Sequence, residues 1–203
     1  MHVVVPFDRE RPKTRLGERF DREDRAAFAT AMLRDVLAAV RAAGGEPTVL
    51  ATAPVDVDAP VTVDERPLTG AVNAALSRAD LPAAVVMADL ALATPQALSA
   101  LFARDGGVVL VPGRGGGTNA VLAREPGFRV DYHGTSYLDH LRAARGLGVS
   151  VAVVDSYRLS TDIDEPADLP EVLLHADGRA QEWLRDAGVT LDARGRERTA
   201  TRD

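Results

Sequence analysis

A single lysine, Lys13, stands among the 24 basic residues of this chain. A lysine ammonium is a compact point charge with three donors and a common ligand of polyphosphate, whereas arginine presents a planar fork. Residues 9 to 19 hold five basic and only two acidic residues, although the whole chain has a net charge of −6. This segment is therefore a candidate anion site. The alternatives are a lysine that escaped a compositional drift and a solvated loop of paired charges.

Three carboxylates stand where a metal ligand is expected. Asp89 follows the apolar segment 83–88, and in open α/β sheets ligands bind outside the carboxyl ends of the strands. Asp162 and Asp164 precede a predicted helix, where acids also serve as caps and complement the helix dipole. Mg²⁺ takes one or two carboxylates together with substrate phosphates, so Asp89 and one of the other two are candidate ligands. The alternative for all three acids is a capping role.

The segment 113–119 is rich in glycine and ends in Thr118 and Asn119. Glycines allow a ligand to approach the backbone closely. Their N–H groups, with the hydroxyl of Thr118, are suited to an anion, although a flexible hairpin has the same composition. The four histidines match no metal-binding spacing, and the absence of cysteine excludes thiolate catalysis and Cys-ligated zinc.

Alternating strands and helices must position these residues. Apolar runs predict buried strands at 3–5, 48–52, 60–63, 83–87, 107–111, 119–123 and 149–154. Capping and periodicity predict helices at 22–43, 69–78, 94–104, 135–146, 166–176 and 178–187, with Asp21 and Thr94 as N-caps. This alternation favours an α/β fold, a three-layer sandwich on a mostly parallel sheet.

Length and charge narrow the class of protein. The 203 residues predict a single domain over residues 1–190, followed by a polar tail, 191–203, that we expect to be disordered. The net charge of −6 disfavours general nucleic-acid binding, which needs a basic surface. No apolar run approaches the roughly 20 residues that span a bilayer, and no signal peptide is recognisable, so we expect a cytoplasmic protein without a membrane partner.

Six short motifs occur in an order that resembles one known family. Over residues 1 to 176 the chain resembles the 2-phospho-L-lactate guanylyltransferase family, in its archaeal form, of coenzyme F-420 biosynthesis. No single motif is decisive, but the ordered set is specific. The motifs are Pro12–Leu16, Asn73 before an Ala-Ala-Leu run, Asp89, Gly117–Ala120, Tyr132–Tyr137 with His140, and Asp162–Asp164.

The resemblance implies a GT-A-like nucleotidyltransferase fold, a Mg²⁺ cofactor and a homodimer. It implies GTP and (2S)-2-phospholactate as substrates, and lactyl-2-diphospho-5'-guanosine and pyrophosphate as products. Bacterial relatives of the family use phosphoenolpyruvate as the acceptor instead.

The resemblance also implies roles for individual residues, carried over where this sequence matches the family. Lys13 and Arg15 are implied to contact the triphosphate during catalysis. The metal ligands are implied to be Asp89 with either Asp162 or Asp164. The remaining implied contacts are Pro6, Asn73 and Asp89 for the nucleotide and cofactor, and Thr118, Gly134 and Ser136 for the phosphorylated three-carbon acid.

The residues agree with this chemistry, because the nucleophile is an already ionised phosphate and needs no general base. Such a site must supply positive charge and alignment, which govern phosphoryl and nucleotidyl transfer. Two alternatives stay open. One is a nucleotidyltransferase of the same fold with another acceptor, such as phosphoenolpyruvate, 3-phosphoglycerate or a sugar phosphate. The other is a non-catalytic nucleotide-binding module.

Overall fold

The computed structural model describes residues 1–10, 12–192 and 199–202 of the chain. The strands are β1 His2–Phe7, β2 Glu46–Ala51, β3 Val61–Val63, β4 Ala83–Val86, β5 Val108–Pro112, β6 Thr118–Ala123, β7 Val151–Val153, β8 Val189–Asp192 and β9 Thr199–Arg202. The helices are α1 Arg22–Ala42, α2 Leu68–Leu76, α3 Pro95–Ala103, α4 Ser136–Gly146, α5 Tyr157–Ser160, α6 Leu169–His175 and α7 Arg179–Asp186. Short 3-10 turns lie at Thr14–Glu18 and Pro166–Asp168.

Seven strands form one sheet in the order β3-β2-β1-β4-β6-β5-β7. Neighbouring strands pair in parallel except at β6, which runs antiparallel to both β4 and β5. Helices cover both faces of this sheet. Val3 and Val5 pack on the side of α1, α3, α6 and α7, whereas Val4 packs on the side of α2 and α4. The predicted three-layer α/β sandwich with a mostly parallel sheet is confirmed.

A one-residue irregularity interrupts the pairing of β5 with β6. Val111 lies opposite Ala120, but the next residue, Pro112, lies opposite Thr118, so Asn119 has no partner on β5. A β-bulge of this kind re-aims the side chains around it and is common beside active sites. Thr118 and Asn119 are therefore freed from the strict alternation that governs the rest of β6.

Local signals in the sequence explain the long helix α1. The side chain of Asp21 accepts a hydrogen bond from the backbone N–H of Asp24 at 2.8 Å, as expected of an N-cap. Gly44, which follows the helix, has a φ of 81°, a conformation that glycine adopts without strain. The predicted apolar face is fully buried, and it consists of Phe28, Met32, Val36 and Val40.

The structure adds elements that the sequence did not predict. The four-residue helix α5 and the turn at Thr14–Glu18 are too short to produce a readable periodicity. Disorder was predicted from residue 191 onward, but residues 191–192 belong to β8 and residues 199–202 to β9, and these two strands pair antiparallel. Composition does not reveal such a pair of short strands, because each strand depends on its partner. The rest of that predicted tail lies outside the described residues. Among the helices that the structure describes, none is long and apolar enough to cross a bilayer.

Candidate active site

Most predicted site residues gather at one edge of the large sheet. The parallel strands all end at this edge, and β6 begins there because it runs the other way. A cavity of about 220 Å³ opens at the edge, and Pro6, Lys13, Asp89 and Asp164 belong to its lining. A larger cavity of about 790 Å³ lies near the start of β1 and contains none of the predicted site residues. The smaller cavity is therefore the candidate active site.

Lys13 joins two of the predicted metal-binding acids. Its Nζ lies 2.8 Å from Oδ2 of Asp89 and 2.6 Å from Oδ1 of Asp164. Only 9% of the side chain is exposed, so this is not the exposed loop residue that its sequence position suggested. Burial opposes the charged form, but the Asp89 and Asp164 carboxylates outweigh burial and raise the pKa of Lys13. The charged form of Lys13 is therefore favoured between the two carboxylates.

The backbone of Lys13 is held in an unusual conformation. With φ at 51° and ψ at 47°, Lys13 is the only non-glycine residue of the described chain with a positive φ. This left-handed conformation costs roughly 1 kcal/mol or more for a residue with a Cβ. The surrounding structure must therefore compensate, and strain of this kind clusters at functional sites.

A third acid lies close to the other two. Oδ1 of Asp162 accepts a hydrogen bond from the side-chain amide of Asn119 at 3.2 Å. Burial raises the pKa of Asp162, as do the nearby charges of Asp89 and Asp164. Ile163, between the two acids, is fully buried, and its N–H donates to the carbonyl of Asp89 at 3.2 Å. The core thus anchors residues 162–164 beside Asp89.

The donor set suits a divalent cation. Oδ1 of Asp89 is buried without a hydrogen-bond partner, and mutually repelling carboxylates that lie nearby favour an additional cation. Across residues 1–10, 12–192 and 199–202, no three His, Cys, Asp or Glu side chains are already arranged as a metal centre. Asp89 and Asp164 are paired with Lys13, and Asp162 accepts a hydrogen bond from Asn119. The residues therefore fit a Mg²⁺ ion bound by Asp89 and one of the other acids.

Arg15, the second predicted triphosphate contact, lies on the 3-10 turn that follows Lys13. Its Nη1 lies 3.3 Å from Oε1 of Glu165, and both side chains are largely exposed. A solvent-exposed pair of this kind is weak and readily exchanges for another anion. The contact of Arg15 with a triphosphate stays a prediction. Arg11, part of the same basic segment, lies outside the described residues.

The glycine-rich segment forms a closed turn rather than an open anion cradle. The N–H of Gly113 donates to the carbonyl of Gly117 at 2.9 Å, and the N–H of Gly116 donates to that of Gly113 at 3.0 Å. The side chain of Arg114, a residue of this turn, pairs with Asp168, and the distance from Nη2 to Oδ1 is 2.8 Å. Two of the glycine N–H groups are thus already used within the turn, and an anion contact by the others stays a prediction.

Thr118 and Ser136, the predicted contacts of the acid substrate, lie together. Their hydroxyl oxygens are 3.5 Å apart, and both residues are buried. Nδ1 of His140 lies 2.8 Å from Oγ1 of Thr118, and the backbone N–H of Asp131 donates to Nε2 of His140 at 2.8 Å. Burial lowers the pKa of His140 to about 4, so the ring is neutral at pH 7.

Two further predicted residues, Asn73 and Gly134, lie in or beside the loop before α4. The amide of Asn73 donates to the carbonyl of Val130 and accepts from its N–H, both at 2.9 Å. Asn73 thereby fixes the loop, and its predicted contact with the nucleotide stays a prediction. Gly134 is exposed and has a φ of 54°, two residues before Ser136.

Asn119 and His140 support the site in ways that the sequence analysis missed. Both belonged to the recognised motifs, yet neither received a role. The amide of Asn119 donates to Asp162 and also to the carbonyl of Leu159 at 3.1 Å. The available signals were a polar residue inside the apolar strand β6 and a histidine on the buried face of α4.

Comparison with known proteins places this geometry in a family. Residues 1–202 match the family model described as guanylyl transferase CofC like. A 2-phospho-L-lactate guanylyltransferase of Halomicrobium mukohataei is 63% identical over 191 residues, which cover 94% of each chain. One of Natronomonas pharaonis is 61% identical over 191 residues, with the same coverage.

A solved structure shares the fold at low identity. A protein of Desulfovibrio desulfuricans G20, described as a nucleotide-diphospho-sugar transferase, superposes with a TM-score of 0.73 at 15% identity. The match covers 91% of this chain and 94% of that one. It confirms the predicted nucleotidyltransferase-type fold. Together with the sequence matches, it leads to one conclusion: the chain belongs to the CofC-like guanylyl transferase family.

Proposed function

We propose that this chain is a 2-phospho-L-lactate guanylyltransferase that uses GTP. A phosphate oxygen of (2S)-2-phospholactate bonds to the α-phosphorus of GTP. The bond from that phosphorus to the oxygen bridging to the β-phosphate breaks, and pyrophosphate leaves with the electron pair. The product is lactyl-2-diphospho-5'-guanosine. One observation carries the proposal: Lys13, Asp89 and Asp164 form a partly buried charged cluster at the strand ends of a chain 63% identical to a relative named for this activity.

The residues of the cluster act through charge and position. The attacking phosphate is already ionised, so no side chain has to remove a proton. Lys13 offers an ammonium that stabilises the negative charge developing on the departing pyrophosphate. Arg15, on the exposed turn beside it, is free to leave Glu165 and contact the same group. Asp89 and one of Asp162 and Asp164 would hold Mg²⁺, which would supply positive charge to the reacting phosphates.

The acid substrate binds at the start of α4 in this proposal. Thr118 and Ser136 contribute hydroxyl groups, and the N-terminus of a helix favours negative charge. Gly134, in the loop before α4, allows the backbone to approach the ligand. Pro6 and the cavity beside Lys13 are left for the nucleotide.

The test is pyrophosphate release with GTP and Mg²⁺, comparing 2-phospholactate, phosphoenolpyruvate and 3-phosphoglycerate. We expect 2-phospholactate to give the highest kcat/KM, and mass spectrometry to identify its guanylylated product. Preference for another acid or a sugar phosphate would contradict the acceptor. Tight GTP binding without pyrophosphate release with any acceptor would contradict the enzyme.

We also propose that the protein works as a homodimer in the cytoplasm. The support is the family resemblance. Sedimentation velocity on the purified protein tests the homodimer, and a single species at the mass of one chain would contradict it.

A further inference from the structure

His140 contacts Thr118, one of the proposed contacts of the acid, and has both ring nitrogens occupied. Nε2 is 2.8 Å from the backbone nitrogen of Asp131, and Nδ1 is 2.8 Å from Oγ1 of Thr118. A backbone N–H can only donate, so Nε2 accepts and carries no proton. In a neutral imidazole the proton must then be on Nδ1, and it is donated to Thr118.

This donation determines what the hydroxyl of Thr118 can do. A hydroxyl has one proton to donate and two lone pairs that accept. With His140 donating to one lone pair, the proton of Thr118 must find an acceptor elsewhere. In the described part of the chain, Oγ of Ser136 is the only other polar partner recorded for this oxygen, and it donates to Thr118 at 3.5 Å, the outer limit for a hydrogen bond.

We propose that His140 is a positioning residue, which fixes the hydroxyl of Thr118 as a donor towards the phosphorylated three-carbon acid. A carboxylate or phosphate only accepts hydrogen bonds, so a hydroxyl that presents its proton is matched to it, and one that presents lone pairs repels it. The identity of the acid rests on the proposed function. The orientation of the hydroxyl rests only on the geometry around His140.

Two substitutions separate the two hydrogen bonds of the ring. An asparagine amide nitrogen takes the place of Nδ1, so His140→Asn keeps a donor for Thr118 and loses the acceptor for Asp131. A glutamine reaches the place of Nε2, so His140→Gln keeps an acceptor for Asp131 and loses the donor. His140→Asn therefore keeps the contact that orients Thr118, and His140→Gln keeps the contact that anchors Asp131.

We expect His140→Gln to raise the KM for the acid by about tenfold or more, the usual effect of losing a hydrogen bond to a charged group. The KM for GTP should stay within about twofold. His140→Asn should retain most of the affinity for the acid and lose thermal stability, because the loop at Asp131 is released. A larger loss of acid affinity in His140→Asn, or equal changes in both KM values, would mean that His140 only supports the fold.

A double-mutant cycle tests whether His140 acts through Thr118. Thr118→Val removes the hydroxyl and keeps the shape of the side chain. In that background His140→Gln should leave the KM for the acid unchanged, since there is no hydroxyl left to orient. Independent, multiplying effects of the two substitutions would overturn the proposal.

A direct readout does not depend on turnover. ¹⁵N NMR of histidine-labelled protein at pH 7 should show His140 protonated at Nδ1 and not at Nε2, and the reverse tautomer overturns the inference. If phosphoenolpyruvate rather than 2-phospholactate proves to be the substrate, the proposed acceptor fails. The variants are then compared on phosphoenolpyruvate, and their KM values for that acid decide the role of His140 independently of the acceptor.

Discussion

At the scale of single residues, Lys13 carries a positive charge into a group of three carboxylates. Asp89 and Asp164 share this single charge in a site where water is partly excluded. Removing one partner of such a pair leaves charges that repel each other and are poorly solvated. We therefore expect Lys13 to affect both catalysis and the stability of the metal-free protein.

We expect Lys13→Met to lower turnover by about 10² to 10³, the usual effect of losing one preorganised charge contact in the transition state. Without metal the variant should also melt at a lower temperature, because Asp89 and Asp164 lose their common cation. Mg²⁺ should raise the melting temperature of the variant more than that of the wild type, since the ion then restores the missing charge.

Arg15→Met is the matched control, because Arg15 lies on the adjacent turn and makes only an exposed pair with Glu165. Its melting temperature should stay close to that of the wild type. A Lys13→Met variant with wild-type turnover, or with no extra response to Mg²⁺, would contradict the assignment of Lys13. Differential scanning fluorimetry with and without Mg²⁺ measures the thermal part.

The buried ring of His140 predicts a pH dependence of stability. Burial lowers the pKa of His140 to about 4, whereas an exposed histidine titrates near 6.5. Between these values the unfolded chain binds more protons than the folded one, so stability decreases as the pH falls from about 6.5 to 4. Nearby Asp131 and Asp139 reduce the effect without reversing it.

We therefore expect the urea midpoint of the wild type to fall more steeply over this range than that of His140→Gln, in which no imidazole is present to be protonated. Carboxylates elsewhere titrate in both proteins, and the difference between the two curves isolates the contribution of His140. Parallel curves would show that the ring is not kept neutral by the fold.

At the scale of elements, Asp35 of α1 holds the start of α7. Its two carboxylate oxygens accept hydrogen bonds from the N–H groups of Arg179 at 2.9 Å and Ala180 at 2.8 Å. A Cβ on Gly178 would lie 2.6 Å from that carboxylate, which explains the glycine there. The cap of α7 is thus supplied by a distant residue rather than by a neighbour in the chain.

Asp35→Ala should lower the free energy of unfolding by about 1 to 2 kcal/mol, as expected for the loss of a helix cap. The effect on kcat should be small, because Asp35 contacts α7 and none of the described candidate site residues. Asp58→Ala is the control, since Asp58 makes only a long, exposed contact with Arg41. Equal urea midpoints for the two variants would contradict the capping role of Asp35.

The elements themselves were largely predictable. Local signals sufficed for α1, whose cap, apolar spacing and terminal glycine all lie within the segment. The direction of β6 was not predictable, because an apolar run has the same composition in either orientation. The burial of Lys13 was not predictable either, because its partners are 76 and 151 residues away and no local pattern contains them.

At the scale of the whole molecule, one sheet carries both hydrophobic cores. Val3, Val4 and Val5 contribute to the two cores alternately, so loss of β1 would expose both at once. We therefore expect a single cooperative unfolding transition when unfolding is monitored by the fluorescence of Trp183 and by circular dichroism. Two separated transitions would contradict the prediction of one domain over residues 1–190.

The bulge at Asn119 has a consequence for how this chain tolerates changes in length. Thr118 contacts His140 on one side of the sheet, while Asn119 contacts Asp162 and Leu159 on the other. Losing one residue here would restore regular pairing and turn one of the two side chains away from its partners. Natural insertions and deletions should therefore accumulate in the surface connections and avoid residues 113–119. We expect a length change there to give a protein that folds but has lost guanylyltransferase activity.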